Sequence, residues 1–478
     1  MSHPEQDEAT SDMDMGAPQK LLFKVLSAVG DGCAARLGKL ALPGRRAIDT
    51  PNFTAVTSRG VIPHLTPDIV SKYTFLTSAY MALEDFIEKK DPPILKTPPP
   101  KNHSSSRTLH NFTAFPSDIP TIVAARRLPP VVAPTGSTAK GIPIFTSRGF
   151  DTLGVARYAS AVEILRPDIV IPLADLLQAD NIPVSKRQLR MAERTEDWVD
   201  EFLGLMDAET RTRSPSMSVF APVLAVEYPI QWAYLKHLEE DLMDQLAGLA
   251  VYDINILPEL TNYKSFGPLP KMSLDLPKSP HDILRQISLG VDLIMAPFVN
   301  NASDAGVALT FTLPAPPETE TLSSTATTPA ADGAQPLGID LGSAEHKTSL
   351  APLQDGCTCH ACQQHHRAYI HHLLNAKEML GWNLLQVHNH HVLAGFFESI
   401  RAALTRGGSE EVETARLRFA AAYEEEMPAG TGERPRARGY HFKSGAAQEK
   451  YNSAGWKDLE GGEEQQQQQQ QQQQAEGQ

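Results

Sequence analysis

The sequence predicts an α/β fold in which helices cover a parallel sheet, with a closed (β/α)8 TIM barrel as the leading form. Short apolar runs that suit buried strands alternate with amphipathic helical segments between residues 158 and 313. A chain of 478 residues, 41% of them hydrophobic, is long enough to fill such a barrel. An open doubly wound sheet is the second choice. The sequence has no Gly-x-Gly-x-x-Gly or Gly-x-x-x-x-Gly-Lys string that would support a nucleotide-binding form of it.

The alternation of elements can be followed along the middle of the chain. Helical patterns cover residues 158–165, 187–206 and 229–246, and strand patterns cover residues 168–173, 218–226, 247–251, 291–295 and 307–313. The start of one further helix is clear, because Ser279 can cap it, Pro280 suits the first helical position and Asp282 the third. Gly290 is expected to end that helix. Repeated strand–helix units of this kind favour a parallel sheet.

Segments of biased composition lie before, within and after the predicted fold. We expect a disordered leader over residues 1–19, a barrel that includes a subdomain (350–405) over residues 20–405, and a disordered charged and poly-Gln tail over residues 406–478. Residues 92–140 are rich in Pro, Ser and Thr and are expected to form long connections or an irregular insertion. Residues 315–350 are rich in Thr, Ala and Pro and are expected to form a flexible insert.

The charge balance limits the classes of function. The chain has 43 Lys and Arg against 57 Asp and Glu, a formal net charge of −14. This balance argues against a surface coated with positive charge for indiscriminate nucleic-acid binding, although a local basic groove remains compatible with it. No run of 18 apolar residues occurs, so the sequence predicts no membrane span. Residues 1–16 are polar and acidic and contain no apolar signal core.

Three of the four cysteines lie within six residues, at Cys357, Cys359 and Cys362. The fourth, Cys33, is far upstream, so the cluster favours metal ligation in a reducing compartment. Three Cys and one His form a standard tetrahedral set for structural Zn²⁺. Such a site has no open position, so it would stabilise the chain rather than catalyse a reaction.

The spacing of the histidines leaves the fourth ligand open. His360 lies inside the cluster and would be cramped, whereas His365 and His366 begin a helix predicted over residues 363–380 and could reach back. His388 lies beyond Gly381, where that helix is expected to stop and the chain to return. The other nearby histidines are expected on the surface or on a helix face: His371, His372, His390 and His391.

The string Cys357-Thr-Cys-His-Ala-Cys362, together with residues 366–374 and Val387-His388-Asn389, resembles the zinc region of the tRNA-guanine transglycosylase (queuine tRNA-ribosyltransferase) family. Further similarities lie at residues 36–40, 49–51, 64–68, 247–251 and 290–292, and together they span roughly residues 20–405. The resemblance implies a (β/α)8 barrel with a zinc subdomain. It also implies one structural Zn²⁺ per chain, held by Cys357, Cys359, Cys362 and His388. Members of the family exchange the wobble guanine of certain tRNAs for a 7-deazaguanine base, which is queuine in eukaryotes.

Departures from the active members of that family fall where a barrel enzyme builds its site, at the carboxyl ends of the strands. Active members attack the ribose with an aspartate three positions after Gly-Val-Asp, and counting from Asp292 this position is Met295. A thioether cannot form a glycosyl–enzyme ester. The Asp-Ser-Gly-Gly-Phe-Gln loop of active members has no counterpart, and Tyr252 stands where they have glycine. The resemblance therefore implies no catalytic residue in this chain.

This pattern resembles the non-catalytic member of the heterodimeric enzymes of eukaryotes. The resemblance implies a catalytic homologue as partner, tRNA bound through the complex, and exchange at the wobble position of tRNAs with GUN anticodons. It also suggests a cytoplasmic protein, with peripheral association with the mitochondrial outer membrane. Because the zinc subdomain lies at the dimer interface in the family, His371, His372, Phe396 and Phe397 are candidate contacts. The alternative for the two phenylalanines is a place in the core of the last helix.

Two other functional hypotheses remain open. The chain could be an active transglycosylase with a relocated carboxylate, for which Asp292, Asp253 and Asp175 are the nearest acids. Asp292 is expected to point to the opposite face of its strand, because side chains alternate along a strand. The chain could also be a zinc-stabilised barrel with an unrelated binding role.

A repeated tetrapeptide raises the question of direct contact with nucleic acid. Thr57-Ser-Arg-Gly60 and Thr146-Ser-Arg-Gly149 each follow a predicted strand and could contact phosphate through Arg and backbone N–H groups. Simple turn chemistry is the favoured interpretation. The basic residues of the tail could also steer tRNA, although such clusters are common in disordered tails: Arg434, Arg436, Arg438 and Lys443.

Overall fold

The computed structural model describes residues 21–26, 34–88, 91–98, 107–134, 136–146, 149–176, 183–206, 217–314 and 333–431. The predicted leader, Cys33, the first part of the 315–350 insert and the chain from residue 432 onwards lie outside the described residues. The described residues all belong to one compact unit, Met1–Arg436.

The strands of the described chain are named in order as follows: β1 Leu22–Val25, β2 Gly38–Ala41, β3 Ile48–Thr50, β4 Asn52–Val56, β5 Ala79–Ala82, β6 Thr121–Ala124, β7 Ile142–Thr146, β8 Gly149–Leu153, β9 Ile169–Val170, β10 Ser218–Val223, β11 Gly248–Val251, β12 Lys271–Ser273, β13 Leu293–Met295, β14 Val307–Leu309 and β15 Gly338–Asp340. The α-helices are α1 Pro67–Tyr73, α2 Thr108–Thr113, α3 Val155–Leu165, α4 Ser185–Leu205, α5 Tyr228–Glu240, α6 Leu257–Leu260, α7 Pro280–Ser288, α8 Phe298–Asp304, α9 His360–Gln364, α10 Arg367–Asn375 and α11 Met379–Ala422.

Eight parallel strands close a barrel, in the order β4, β5, β6, β9, β10, β11, β12 and β13. The barrel closes where β13 pairs with β4, with Met295 opposite Thr54. Most of these strands are buried along their whole length, because one face lines the barrel and the other packs on helices. The predicted (β/α)8 barrel is confirmed, and the open doubly wound sheet is wrong.

An antiparallel sheet of β1, β2 and β3 covers one end of the barrel. Leu40 and Ile48 from this sheet pack with the side chains that fill the barrel interior. Two buried ion pairs lie at the same end, since each carboxylate comes directly before a barrel strand. Arg36 bonds Asp292 before β13 at 2.6 Å, and Arg45 bonds Asp168 before β9 at 2.8 Å. These pairs mark the amino-terminal end of the barrel, opposite the end where barrel enzymes place their sites.

Several predicted elements need correction within the first half of the chain and the insert. Residues 92–140 are not merely an irregular insertion, because they contain α2 and the barrel strand β6. The Pro-rich surroundings masked this strand, because they resemble an irregular connection. Residues 338–340 of the supposed flexible insert form β15, which pairs antiparallel with β14. The strand predicted over residues 307–313 therefore lies outside the barrel.

The predicted start of the disordered tail at residue 406 is also wrong. Helix α11 continues to Ala422 across a kink at Gly407 and Gly408, where Gly408 has a φ of +63°. Val412 and Phe419 are buried, and they lie seven residues apart on one face of the helix. The charged residues that suggested a tail are those of the outer face of a helix whose inner face packs on the barrel.

Candidate metal centre and barrel mouth

The cysteine cluster lies in a loop that leads into the short helix α9. Gly356 has a φ of +73°, a conformation that favours glycine, directly before Cys357. Cys359 caps α9, with its Sγ accepting from the N–H of Cys362 at 3.4 Å. These local contacts turn the chain so that three thiols lie on the same side of the loop.

The helix predicted over residues 363–380 is broken into separate segments. Helix α9 ends at Gln364, α10 ends at Asn375 and α11 begins at Met379. Gly381 lies in the first turn of α11 and does not end a helix. A Cβ at this position would lie only 3.2 Å from the Cβ of Leu373, so the glycine permits close packing of α10 on α11. The expectation that the chain returns after Gly381 was therefore wrong, since the return is made before α11 begins.

His388 lies on α11 and is the histidine that the structure brings to the three cysteines. Its Nδ1 lies 3.7 Å from the Sγ of Cys357, 3.5 Å from that of Cys359 and 3.4 Å from that of Cys362. The four ligand atoms all lie within 4.8 Å of one another. Tetrahedral Zn²⁺ with Zn–S of about 2.3 Å and Zn–N of about 2.0 Å separates sulfur and nitrogen by roughly 3.6 Å. The geometry therefore fits a tetrahedral ion whose four ligands all come from the protein.

The other ring nitrogen of His388 is fixed by the backbone. His388 is fully buried, and its Nε2 donates to the carbonyl of Leu309 in β14 at 2.8 Å. This bond places the proton on Nε2 and leaves the Nδ1 lone pair facing the thiols. The neighbouring Asn389 holds the same strand, accepting from the N–H of Leu309 at 2.9 Å and donating to the carbonyl of Val307 at 3.0 Å. The cluster is thereby tied to β14.

The other histidines near the cluster are engaged elsewhere. His360 stacks on Tyr73 with ring centroids 4.2 Å apart, and His365 stacks on Tyr369 at 5.5 Å. His366 caps α10, with its Nδ1 accepting from the N–H of Tyr369. His371 and His390 lie on helix faces, as expected, but both are buried rather than on the surface. Burial lowers the pKa of His390 to about 4.

The donor set determines what a bound ion could do. Three thiols that ionise on binding and one neutral imidazole are the ligands that Zn²⁺ prefers, and together they leave no position for water or substrate. A bound Zn²⁺ would cross-link the α9 loop to α11 and, through Leu309, to β14. Its contribution would be to the folding of this subdomain.

The barrel mouth differs from the metal centre because the group expected of an enzyme is missing. Met295 ends β13, is fully buried and packs inside the barrel with Met272 and Leu293. A cavity of about 160 Å³ lies at this end of the barrel. Tyr252 lines this cavity, and burial raises the pKa of its hydroxyl. No carboxylate is among the described residues that line the cavity.

The three acids considered for a relocated nucleophile are not brought together. Asp292 lies at the amino-terminal end of the barrel in its ion pair with Arg36. Asp253 caps the 3-10 turn Ile254–Ile256, accepting from the N–H of Asn255 at 2.9 Å. Asp175 is buried and forms an ion pair with Arg194. Each carboxylate thus already has a structural partner.

Sequence reasoning missed a buried charged cluster beside the mouth. Glu84 accepts from the N–H groups of Arg127 at 2.8 Å and Phe145 at 2.9 Å. Asp85 accepts from Arg127 Nε at 2.9 Å. Burial raises the pKa of Glu84. The pair Glu84-Asp85 follows β5 and Arg126-Arg127 follows β6, so the adjacency of parallel strands was a signal that could have predicted the cluster.

Two proposed contact regions have structural explanations. Phe396 packs edge-on against Phe311 at 5.2 Å, and both Phe396 and Phe397 are buried, so the alternative place in the helix core is correct. His372 is exposed.

The segment Thr57–Gly60 forms a turn in which the backbone N–H of Ser58 donates to the carbonyl of Val61 at 2.9 Å. In the repeat of this tetrapeptide, residues 147 and 148 lie outside the described residues.

The fold and the cluster together define a (β/α)8-barrel protein with a Cys3His group that could hold a metal ion. The profile of the family described as Queuine tRNA-ribosyltransferase matches residues 31–422. The chain therefore belongs to this family, as its sequence motifs predicted. Within the described residues, none of the helices is both long and apolar enough to cross a membrane.

Three curated relatives of this chain, from different organisms, share one name. The chain is 32% identical to "Queuine tRNA-ribosyltransferase accessory subunit 2" of Schizosaccharomyces pombe, over 91% of this chain and 92% of the relative. It is 26% identical to the protein of that name in Ixodes scapularis, over 80% and 95%. It is 27% identical to that of Xenopus laevis, over 80% and 96%. The chain is therefore similar to accessory subunits over nearly their whole length.

Proposed function

We propose that this chain is the non-catalytic subunit of a heterodimeric queuine tRNA-ribosyltransferase. In that complex it would support the exchange of guanine for queuine at the wobble position of tRNAs with GUN anticodons. The observation that carries the proposal is Met295, a fully buried thioether at the carboxyl end of β13, where an active member presents its nucleophilic carboxylate. The names of the relatives support an accessory role.

The metal cluster supports the same proposal from the other direction. Its four ligand atoms lie together and His388 is held by β14, which supports a complete structural site in a chain without a catalytic one. We infer that Cys357, Cys359, Cys362 and His388 bind one structural Zn²⁺. The subdomain that this ion holds, with the exposed His372, would contact the catalytic homologue. We expect the complex in the cytoplasm, with peripheral association with the mitochondrial outer membrane.

Co-expression with a catalytic homologue tests the proposal. Native mass measurement should give a 1:1 heterodimer with one zinc in this subunit. The complex should incorporate labelled guanine into tRNA, and the purified chain alone should not. Incorporation by the lone chain would show that it is itself an enzyme. Failure of the two chains to associate would instead favour a barrel with an unrelated binding role.

A further inference from the structure

A second cavity, on the outer side of the barrel, is lined mainly by cationic side chains. Its volume is about 390 Å³, and it lies between the amino-terminal part of α4 and the loop at Gly136 and Ser137. The charged residues that line it are four cations and one acid: Lys186, Arg187, Arg190, Arg194 and Asp175. These described lining residues give a net charge of +3 in a protein whose formal charge is −14. We call this surface the α4 basic face.

The four cations share one side of a helix. Lys186, Arg190 and Arg194 are spaced by four residues, and Arg187 lies seven residues before Arg194, so all four follow the helical repeat. At about 1.5 Å per residue they extend over roughly 12 Å along the axis. The amino terminus of α4 adds partial positive charge at the same end, and its cap residue Val184 supplies no side-chain acceptor.

One cation of the face has a structural role, while three are presented outward. Arg194 pairs with the buried Asp175 and donates to the carbonyl of Ser137 at 3.1 Å, which fixes the cavity wall. Lys186, Arg187 and Arg190 are exposed, and none forms an ion pair with a described residue. Exposed cations that are not neutralised locally attract anions, and several in a row produce a focused field.

The cavity wall also contains a polar atom without a partner. The Oγ of Ser137 is buried and has no hydrogen-bond partner among the described residues. A buried hydroxyl usually has one, and this hydroxyl belongs to a residue that lines the cavity. The guanidinium of Arg187 lies against Gly136, close enough that a Cβ there would be 2.7 Å from its Nη2. Arg187 and Ser137 therefore face one space.

We propose that the α4 basic face binds consecutive backbone phosphates of RNA. This inference rests on the proposed function, because it assigns a tRNA-contacting surface to the accessory chain itself. Arginine forms bidentate bonds with phosphate oxygens, and such contacts position a nucleic acid without reading its sequence. At an axial rise of about 3.4 Å between consecutive phosphates of a stacked strand, a line of cations over roughly 12 Å spans three to four phosphate steps. A site for one isolated phosphate would need no such length.

The test measures tRNA affinity of the heterodimer over a series of salt concentrations. The double variant Arg187→Ala/Arg190→Ala removes two exposed charges that contact no described acid. Each lost phosphate contact reduces the magnitude of the negative slope of log affinity against log salt by about 0.7 to 0.9. The slope of the variant should therefore be smaller in magnitude by about 1.5, and the variant should bind tRNA on the order of 10-fold more weakly at about 0.1 M salt.

Two further variants serve as controls. Arg187→Lys/Arg190→Lys keeps the charge and should retain the wild-type salt slope. Arg406→Ala/Arg418→Ala removes two exposed arginines of α11, far along the chain from the α4 basic face, and should leave the slope unchanged. Equal losses in the alanine and lysine variants would show that charge is not the cause, and would overturn the proposal.

Other results would also overturn it. An unchanged slope in an intact heterodimer would mean that RNA does not touch this face. Loss of the heterodimer in the alanine variant would assign the face to the protein partner. If inorganic phosphate stabilised the wild-type chain but not the variant, while tRNA affinity stayed equal, the face would be a site for isolated phosphate. If the wild-type chains do not associate, the proposed function fails, and the same titration on the full-length chain alone still tests the face.

Discussion

The metal subdomain and the barrel mouth are two regions of one chain with opposite chemical content. Around His388 four possible metal ligands lie together, buried or half-buried, and His388 itself is oriented by a hydrogen bond to β14. Around Met295 the interior is apolar, and the acids nearby are engaged by arginines or backbone N–H groups. The difference shows that a complete cluster of possible metal ligands and an apolar barrel mouth occur in the same fold. A barrel can lose the groups at its mouth without losing the interactions that close it.

Removing one metal ligand should have the largest effect. We expect Cys359→Ser to lose zinc, because structural zinc sites contribute on the order of 10 kcal/mol to folding. Residues 350–405 should then exchange amide hydrogens rapidly, and pairing with the catalytic homologue should be lost. Zinc analysis, hydrogen exchange and native mass measurement check these outcomes. Cys33→Ser, outside the cluster, is the matched control. A zinc-free Cys359 variant that still forms the complex would contradict the link between metal and pairing.

Restoring a carboxylate at the mouth should be costly and should not create an enzyme. Met295→Asp places an acid at a fully buried position in an apolar interior, at an expected cost of about 5 kcal/mol in the free energy of unfolding. Met295→Leu conserves volume and should cost less than about 1.5 kcal/mol. Denaturant unfolding compares the two, and labelled-guanine incorporation checks activity. An active Asp variant would mean that the mouth lacks only its nucleophile.

Acid should destabilise the amino-terminal end of the barrel through His110. Its Nε2 donates to the carbonyl of Ile119 at 2.8 Å, and burial, with Arg45 nearby, lowers its pKa to about 4. The unfolded chain binds this proton near pH 6.5, so stability is full above that value and falls towards pH 4. The loss is on the order of 3 kcal/mol.

The variant His110→Gln separates this effect from metal loss at low pH. A glutamine can donate to Ile119 but does not titrate, so the free energy of unfolding should fall less steeply between pH 6.5 and 4.5. Urea titrations at several pH values measure the difference. Identical slopes for the two proteins would mean that His110 does not control acid sensitivity.

The smallest effect is expected at the end of the described chain. Ending the chain after Thr431 should change the free energy of unfolding by less than about 0.5 kcal/mol and leave the heterodimer intact. Ending it after Arg406 removes Phe419, which packs on Phe396 at 5.5 Å, so it should cost about 3 kcal/mol or more. Thermal unfolding and native mass measurement compare the two. Equal stability would restore residue 406 as the domain boundary.

How much could be predicted depended on the length of the pattern. The barrel and its helices over residues 155–295 follow from repeated strand and helix periods, and the cysteine cluster follows from three thiols in six residues. Strand β6 was missed because Pro-, Ser- and Thr-rich sequence surrounds it, whereas the equally short β11 follows a clear helical segment. The continuation of α11 beyond residue 406 was missed because only one stripe of this helix is apolar, so the composition of the segment is that of a charged tail.

The sequence alone determined which chemistry is present and which is missing. Three cysteines close together specify soft-metal ligands, and a methionine in place of an aspartate removes a nucleophile in any fold. Only the tertiary structure decided which histidine completes the cluster, because α11 and β14 must pack before Nδ1 of His388 can face the thiols. It also placed Asp292 at the amino-terminal end of the barrel and brought the cations of α4 together around one cavity. Contacts between residues far apart in the chain depend on packing, which local patterns do not encode.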